Sequence, residues 1–339
     1  MLRWIGFSVL LLVAACQSAA PTAFLATPAV VGDSATHLPM FTPIPTANPM
    51  ATRTPTLPPS LTFTPTQTPT ITPTATDTLT PSVTPTLEPT DHYWLARPIA
   101  RNKTDWVDRT YPYGGTQYDT RQVHTGVEFV NPRFTPVLAA ADGVVLYAGS
   151  DTEILFGPAH DFYGNLIVLA HGIVTPEGMP VYTLYGHLER IEVETGQSVR
   201  RGEKIAAVGD SGVAIGPHLH FEIRVDDPMD YGATRNPEMW IRPFPGFGTL
   251  AGYVTEVNGA AAFGVTLLVR STDISREVYT YGDDTVNSDA VWHENFALGD
   301  LPEDRYEIIV SEANGRVRFR EEVFVEAGRT TWIDVQLKR

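Results

Sequence analysis

Of the forty residues between positions 51 and 90, 16 are Thr and 9 are Pro, in runs such as T-P-T-Q-T-P-T-I-T-P-T-A-T. Proline fixes φ and lacks a hydrogen-bond donor, and threonine carries little apolar surface, so such a tract cannot offset the entropy cost of ordering. The stretch from Gln17 to about Thr90, rich in Thr, Pro, Ala and Ser throughout, therefore reads as a disordered, polyproline-like spacer. At ~3 Å per extended residue it would reach up to ~200 Å. What remains of the 339 residues is room for two ordinary domains of roughly 100 to 200 residues each.

The chain opens M-L-R-W-I-G-F-S-V-L-L-L-V-A-A-C, with one basic residue and then an apolar run from Trp4 to Ala15. That run is shorter than the ~20 residues of a spanning helix but suits the core of a signal peptide over positions 1–15. The V-A-A-C ending resembles the lipobox of bacterial lipoproteins, whose cysteine becomes the lipidated first residue of the mature chain. Cys16 is the only cysteine, so it forms no internal disulfide and reads as an anchor. The expectation is an exported protein held by lipid on Cys16 to the outer face of the bacterial cytoplasmic membrane or cell envelope, with the spacer filling positions 16–91. A formal net charge of -15 excludes a nucleic-acid partner, which calls for clustered Lys and Arg.

From Thr125 to about Trp240, short β-branched and aromatic runs alternate with glycine turns: G-V-E-F-V, N-L-I-V-L-A-H, V-Y-T-L-Y-G-H-L, K-I-A-A-V-G and H-L-H-F-E-I-R-V. Helix-period stretches are almost absent, which predicts an all-β, antiparallel domain over 92–244. F-P-G-F-G at 244–248 reads as a second linker. Positions 245–339 then hold seven or so short alternating segments, a pattern that suits a β-sandwich. With G-x-V, G-V-x-V and L-P-x-x-x-Y in that order, this block resembles the carboxypeptidase regulatory-like, transthyretin-related sandwiches. It has one histidine, His293, and reads as a spacer or adhesive module without chemistry of its own.

Six of nine histidines lie between positions 124 and 220. In G-P-H-L-H-F-E-I-R, strand alternation points His218 and His220 to one face and Leu219 and Phe221 to the other. In R-Q-V-H-T-G-V-E-F-V, His124 and Glu128 are four apart, which places them on one face of a strand. Four donors on strand faces meet the count of a catalytic zinc site, with three protein ligands, one open position and one residue to spare.

H-T-G-V-E-F, Y-G-N-L-I-V-L-A-H, L-Y-G-H-L, G-x-x-V-x-x-G-x-x-I-A-x-V-G and G-P-H-L-H-F-E-I-R occur in this order. With R-N-P at 235–237, they resemble the lysostaphin and LytM-type murein zinc metalloendopeptidases over about residues 110–242. Either histidine motif alone would be weak, whereas the ordered set is specific. The resemblance implies one Zn2+ per chain, held by His124, Glu128 and His220. It places the family's catalytic histidine at His218 and its second non-ligand histidine at His187. His218 would then act as base and His187 would stabilise the oxyanion, or the two would exchange roles.

The chain departs from the family pattern at three places. Where the family carries Asp it has Glu128, a methylene longer by ~1.5 Å against metal distances that tolerate only ~0.2 Å. The family's S-T-G turn is here S-G-V-A-I-G, and residues 149–165 form a longer connection than a hairpin needs, fit to border a cleft. His171 reads as core or turn packing and His160 as solvated, while His37 lies in the spacer and His92 borders it. Tyr113 and Tyr118 stand where the family has cleft aromatics but read as packed tyrosines. E-R-I-E-V-E at 189–194 reads as a solvated strand face.

The function implied is hydrolysis of peptide bonds in bacterial cell-wall peptidoglycan by a membrane-anchored enzyme, expected to be a monomer. The alternative is a catalytically inactive module of the same fold that binds peptidoglycan or activates a separate wall hydrolase. A surface adhesin led by the C-terminal block would leave the histidine set without a purpose.

Overall fold

β-Branched and aromatic residues in runs of four to ten, cut by glycine turns, build strands because their side chains pack best on a pleated surface. In the computed structural model, which describes residues 90–339, these runs become seventeen strands and one 3-10 turn at Pro237–Met239. Positions 1–15, Cys16, His37 and the spacer up to position 89 lie outside the described residues. No helix among the described residues is long and apolar enough to cross a membrane.

Ten strands precede the turn: β1 (Val127–Val130), β2 (Pro136–Leu138), β3 (Gly143–Ser150), β4 (Asn165–Val174), β5 (Pro180–Gly186), β6 (Leu188–Ile191), β7 (Ser198–Val199), β8 (Lys204–Val208), β9 (His218–Val225) and β10 (Thr234–Arg235). Seven follow it: β11 (Phe247–Thr255), β12 (Thr266–Arg270), β13 (Ser275–Tyr279), β14 (Phe296–Pro302), β15 (Asp304–Ser311), β16 (Val317–Val325) and β17 (Thr330–Gln336). The fold is all-β and its strand pairs are antiparallel, apart from β11 with β17.

In the first block one sheet runs β1-β9-β5-β4-β3-β7, with β10 also on β9, and a smaller sheet runs β2-β8-β6. β9 has a neighbour on each side, and all eight of its residues are buried. Leu219, Phe221 and Ile223 join the main core with Phe129, Ile167 and Val208. Alternation then gives the opposite face His218, His220, Glu222 and Arg224, four polar groups on one buried strand. Register does the rest: Glu128 of β1 lies opposite His220, Val130 opposite His218, and Gly186 of β5 opposite His220 from the other side.

In the second block, β14-β11-β17 and β13-β12-β15-β16 form two sheets. They share one core that includes Leu250, Leu267, Phe296, Ile308, Val325 and Ile333. The two blocks are not strung apart. Ala251, Tyr281 and Ala297 belong to the same buried cluster as Phe129, Trp240 and Ile241, and Arg97 pairs with Asp300 at 2.5 Å. F-P-G-F-G, read as a linker, is a turn at its start and the first two residues of β11 at its end.

Candidate metal centre

His124 stands just ahead of β1, and its ring stacks on Tyr111 with centroids 4.1 Å apart and planes within 7°. Its Nδ1–H is donated to Tyr111 O at 2.7 Å, which leaves Nε2 as the free lone pair. His220 is arranged the other way round: Nε2–H is donated to Glu222 Oε1 at 3.0 Å, which leaves Nδ1 free. These two free nitrogens face each other at 3.2 Å. Burial first, and then His220, holds His124 well below the ordinary imidazole range, which keeps its own ring neutral.

Two lone pairs that converge without a proton repel, and a cation between them turns the arrangement favourable. Glu128 Oε1 completes the set, 3.7 Å from His124 Nε2, with one donor atom from each of His124, Glu128 and His220 inside 4.8 Å of the others. A tetrahedral zinc with ~2.05 Å bonds separates its ligand atoms by ~3.3 Å, so the two nitrogens already stand at that spacing and the carboxylate has about an ångström to close. The longer Glu side chain thus reaches the cluster. Gly126 makes room for the His220 ring: a Cβ there would lie 2.7 Å from both His220 Nε2 and the Phe221 carbonyl.

Beneath His220 lies a network that the sequence reading passed over. Glu222, fully buried, accepts from the hydroxyls of Tyr163 at 2.6 Å and Thr125 at 2.8 Å, and from Arg224 Nε at 2.8 Å. Arg224, also fully buried, gives its remaining nitrogens to the carbonyls of Pro228 and Phe156 and to the Tyr163 hydroxyl. Burial opposes ionisation of Glu222, but Arg224 and His220 outweigh it and bring the carboxyl down to about 2. A carboxylate behind a ligand histidine fixes its tautomer and ring plane.

Removal of that charge leaves Arg224 buried and unpaired. The Glu222→Gln variant is expected to lose on the order of 3 kcal/mol of stability and 10- to 100-fold in zinc affinity, read by urea unfolding and metal titration. Because the folded carboxyl sits at about 2 against an ordinary 4.5, its stabilisation is complete above pH 4.5 and is lost as pH falls toward 2. The gap between wild type and variant should narrow across that window; a gap under about 1 kcal/mol at pH 7 would show that Arg224 is satisfied without Glu222.

Two further histidines face the donors. His218 donates Nδ1–H to Gly216 O at 2.9 Å, and its buried Nε2 has no hydrogen-bond partner and lies 3.6 Å from Glu128 Oε1. His187 follows β5 with φ +59°, a strained value for a residue other than glycine, and donates Nδ1–H to Ser211 O at 2.8 Å. Burial, then His220 and His218, bring it down to about 3, so it is neutral with its Nε2 lone pair free. The rings of His187 and His218 are 4.8 Å apart.

These groups line a cleft of about 580 Å³ whose rim includes Val213 and Ile215, from S-G-V-A-I-G, and Phe162, from the 149–165 connection. His124, Glu128, His187, His218 and His220 therefore meet in one place. His171 is buried against Asp142 O and Thr183, away from the cleft, and His160 is exposed. His92 is buried and donates Nε2–H to Asp289 Oδ2 at 2.8 Å. Tyr113 is packed in the core and Tyr118 lies outside at 71% exposure, while it is Tyr111 that stacks on His124. Glu222 and Arg224 were visible in the sequence as polar residues continuing the His218, His220 face of a strand that is otherwise apolar.

Residues 122–232 match the family model described as Peptidase family M23. Over 126 residues the chain is 36% identical to the DD-carboxypeptidase/endopeptidase Mpg of Neisseria meningitidis serogroup B, an alignment spanning 37% of this chain and 24% of that protein. Over 108 residues it is 38% identical to the peptidoglycan DD-endopeptidase ShyB of Vibrio cholerae serotype O1, spanning 32% of this chain and 22% of that protein. Among solved structures, the catalytic domain of lysostaphin from Staphylococcus simulans is 29% identical, with 34% of this chain and 76% of that chain covered and a TM-score of 0.28. The segment that carries all five clustered side chains, residues 122–232, is a Peptidase family M23 domain.

Proposed function

We propose that this chain is a zinc-dependent endopeptidase that hydrolyses peptide bonds in bacterial cell-wall peptidoglycan. The observation that carries the reading is the convergence of two free imidazole lone pairs and a carboxylate, beside two further imidazoles, in an open cleft. Zinc bound there would bring a water toward a pKa of ~7 and polarise the scissile carbonyl. His124, Glu128 and His220 would hold the metal.

His218 Nε2 takes up the proton as the peptide is attacked, since its Nδ1–H is committed to Gly216 O and its Nε2 is free. His187 shares that tautomer, so it becomes a donor to the developing oxyanion only once a proton reaches its Nε2. Arg121, Tyr111 and the apolar rim at Val213 and Ile215 offer the cleft walls that an extended peptide needs. A lipid on Cys16 and the Thr/Pro spacer would hold the domain near its polymer, and the second block is a transthyretin-related sandwich.

The chain is purified without added zinc, its metal content measured, and isolated peptidoglycan digested while new amino termini are counted. About one zinc per chain and new termini that vanish with chelator are expected. A chain that takes up no metal even when zinc is supplied would instead be a module that binds wall or activates another hydrolase.

A further inference from the structure

The cleft does not stop at the metal donors. Gln122, Val123, His124, Thr125 and Tyr231 line it on one side and on the other line a second hollow of about 420 Å³. The far end of that hollow is not made by the M23 domain. Asp283, Thr285 and Val286, from the connection between β13 and β14 in the second block, close it.

That connection is fixed to the M23 domain at several points. Gly282 N–H is donated to Gly114 O at 2.7 Å, and Gly114 N–H to the carbonyl of His124 itself, also at 2.7 Å. Asn287 Nδ2 donates to Thr234 O at 3.2 Å, and the Tyr113 hydroxyl lies 3.1 Å from both Thr234 O and Asn287 O. Tyr113 and Tyr281 meet edge to face at 5.5 Å. The place of Asp283 relative to His124 is therefore built into the fold.

Asp283 is half-buried, and its Oδ1 accepts the Thr285 N–H at 2.9 Å and the Thr285 hydroxyl at 2.5 Å. No Lys or Arg lines the hollow, and the other carboxylate oxygen faces no cation among the described residues. A carboxylate in a concave site without a counter-charge favours a ligand that brings one. The rings of Tyr113 and Tyr231 and the side chains of Val123 and Val286 suit the alkyl stem of such a ligand.

We propose that this hollow is a substrate subsite, completed by the second block, that takes a peptide residue bearing a primary ammonium group, which Asp283 receives. The proposal rests on the endopeptidase reading and adds a recognition element to it. Two soluble cross-linked wall peptides, alike except that one side-chain amine is free or acetylated, test it. Wild type should favour the free amine roughly fivefold in kcat/KM, through KM, the scale of a half-buried ion pair. Asp283→Asn should equalise the two peptides, and Thr285→Trp, which fills the hollow, should weaken both about tenfold while metal content is unchanged. A wild type that hydrolyses both equally, or a preference that survives in Asp283→Asn, overturns the subsite and leaves the endopeptidase standing. If neither peptide is cleaved the endopeptidase reading falls, and dissociation constants of the same peptides then judge the subsite by the same preference and its loss.

Discussion

Glu128→Ala is expected to lower zinc from about one per chain to under ~0.1 after dialysis and to cut peptidoglycan hydrolysis by at least ~10³-fold. The donors converge from two places in the chain, the start of β1 and β9, and removal of Glu128 leaves two nitrogens that bind a divalent ion far more weakly. Glu128 is the cleaner probe because its side chain is 16% exposed and reaches the site from a strand end. His220→Ala should lose the metal as well, but it also takes a donor from buried Glu222, so its unfolding midpoint must be recorded beside its zinc. Glu128→Asp, which shortens the arm to the family's usual length, should keep metal. Wild-type zinc retention in Glu128→Ala would remove the carboxylate from the ligand set.

The second large effect separates chemistry from binding. His218→Ala should keep about one zinc per chain while kcat falls by 10²- to 10⁴-fold, the range for loss of a positioned general base. The side chain contributes an unpartnered Nε2 and is not one of the three closest donors, so stability and metal should change little. His187→Ala is the companion measurement. If both variants keep metal and only His218→Ala shows the loss, the proton passes through His218; equal losses would mean that the two rings share the work. Loss of zinc in His218→Ala would make it a ligand and overturn the assignment.

Much of the site was legible because it is local. H-x-H on a strand must point both rings one way, and a separation of four positions puts His124 and Glu128 on one side, whatever the rest of the chain does. The same alternation carried Glu222 and Arg224 onto the His220 face, yet their use as a buried support was not readable. It depends on Tyr163 and the Phe156 carbonyl arriving from a connection about sixty residues earlier. Tyr111, rather than Tyr113 or Tyr118, stacks on His124 for a similar reason: the loop's path is set by its contacts with β13 and the turn after it, not by its own composition.

Local pattern was enough for the all-β class, the order of the strands along the chain and the strand faces on which His218, His220, His124 and Glu128 stand. Side-chain alternation and turn chemistry act over a few residues and leave no choice at that scale. Tertiary structure alone decided which donors meet. Antiparallel register placed Glu128 and Gly186 on either side of His220, and a positive φ turned His187 into the cleft. It also decided that the second block closes a hollow beside His124, since that contact joins residues more than 150 positions apart and no local pattern encodes such a closure.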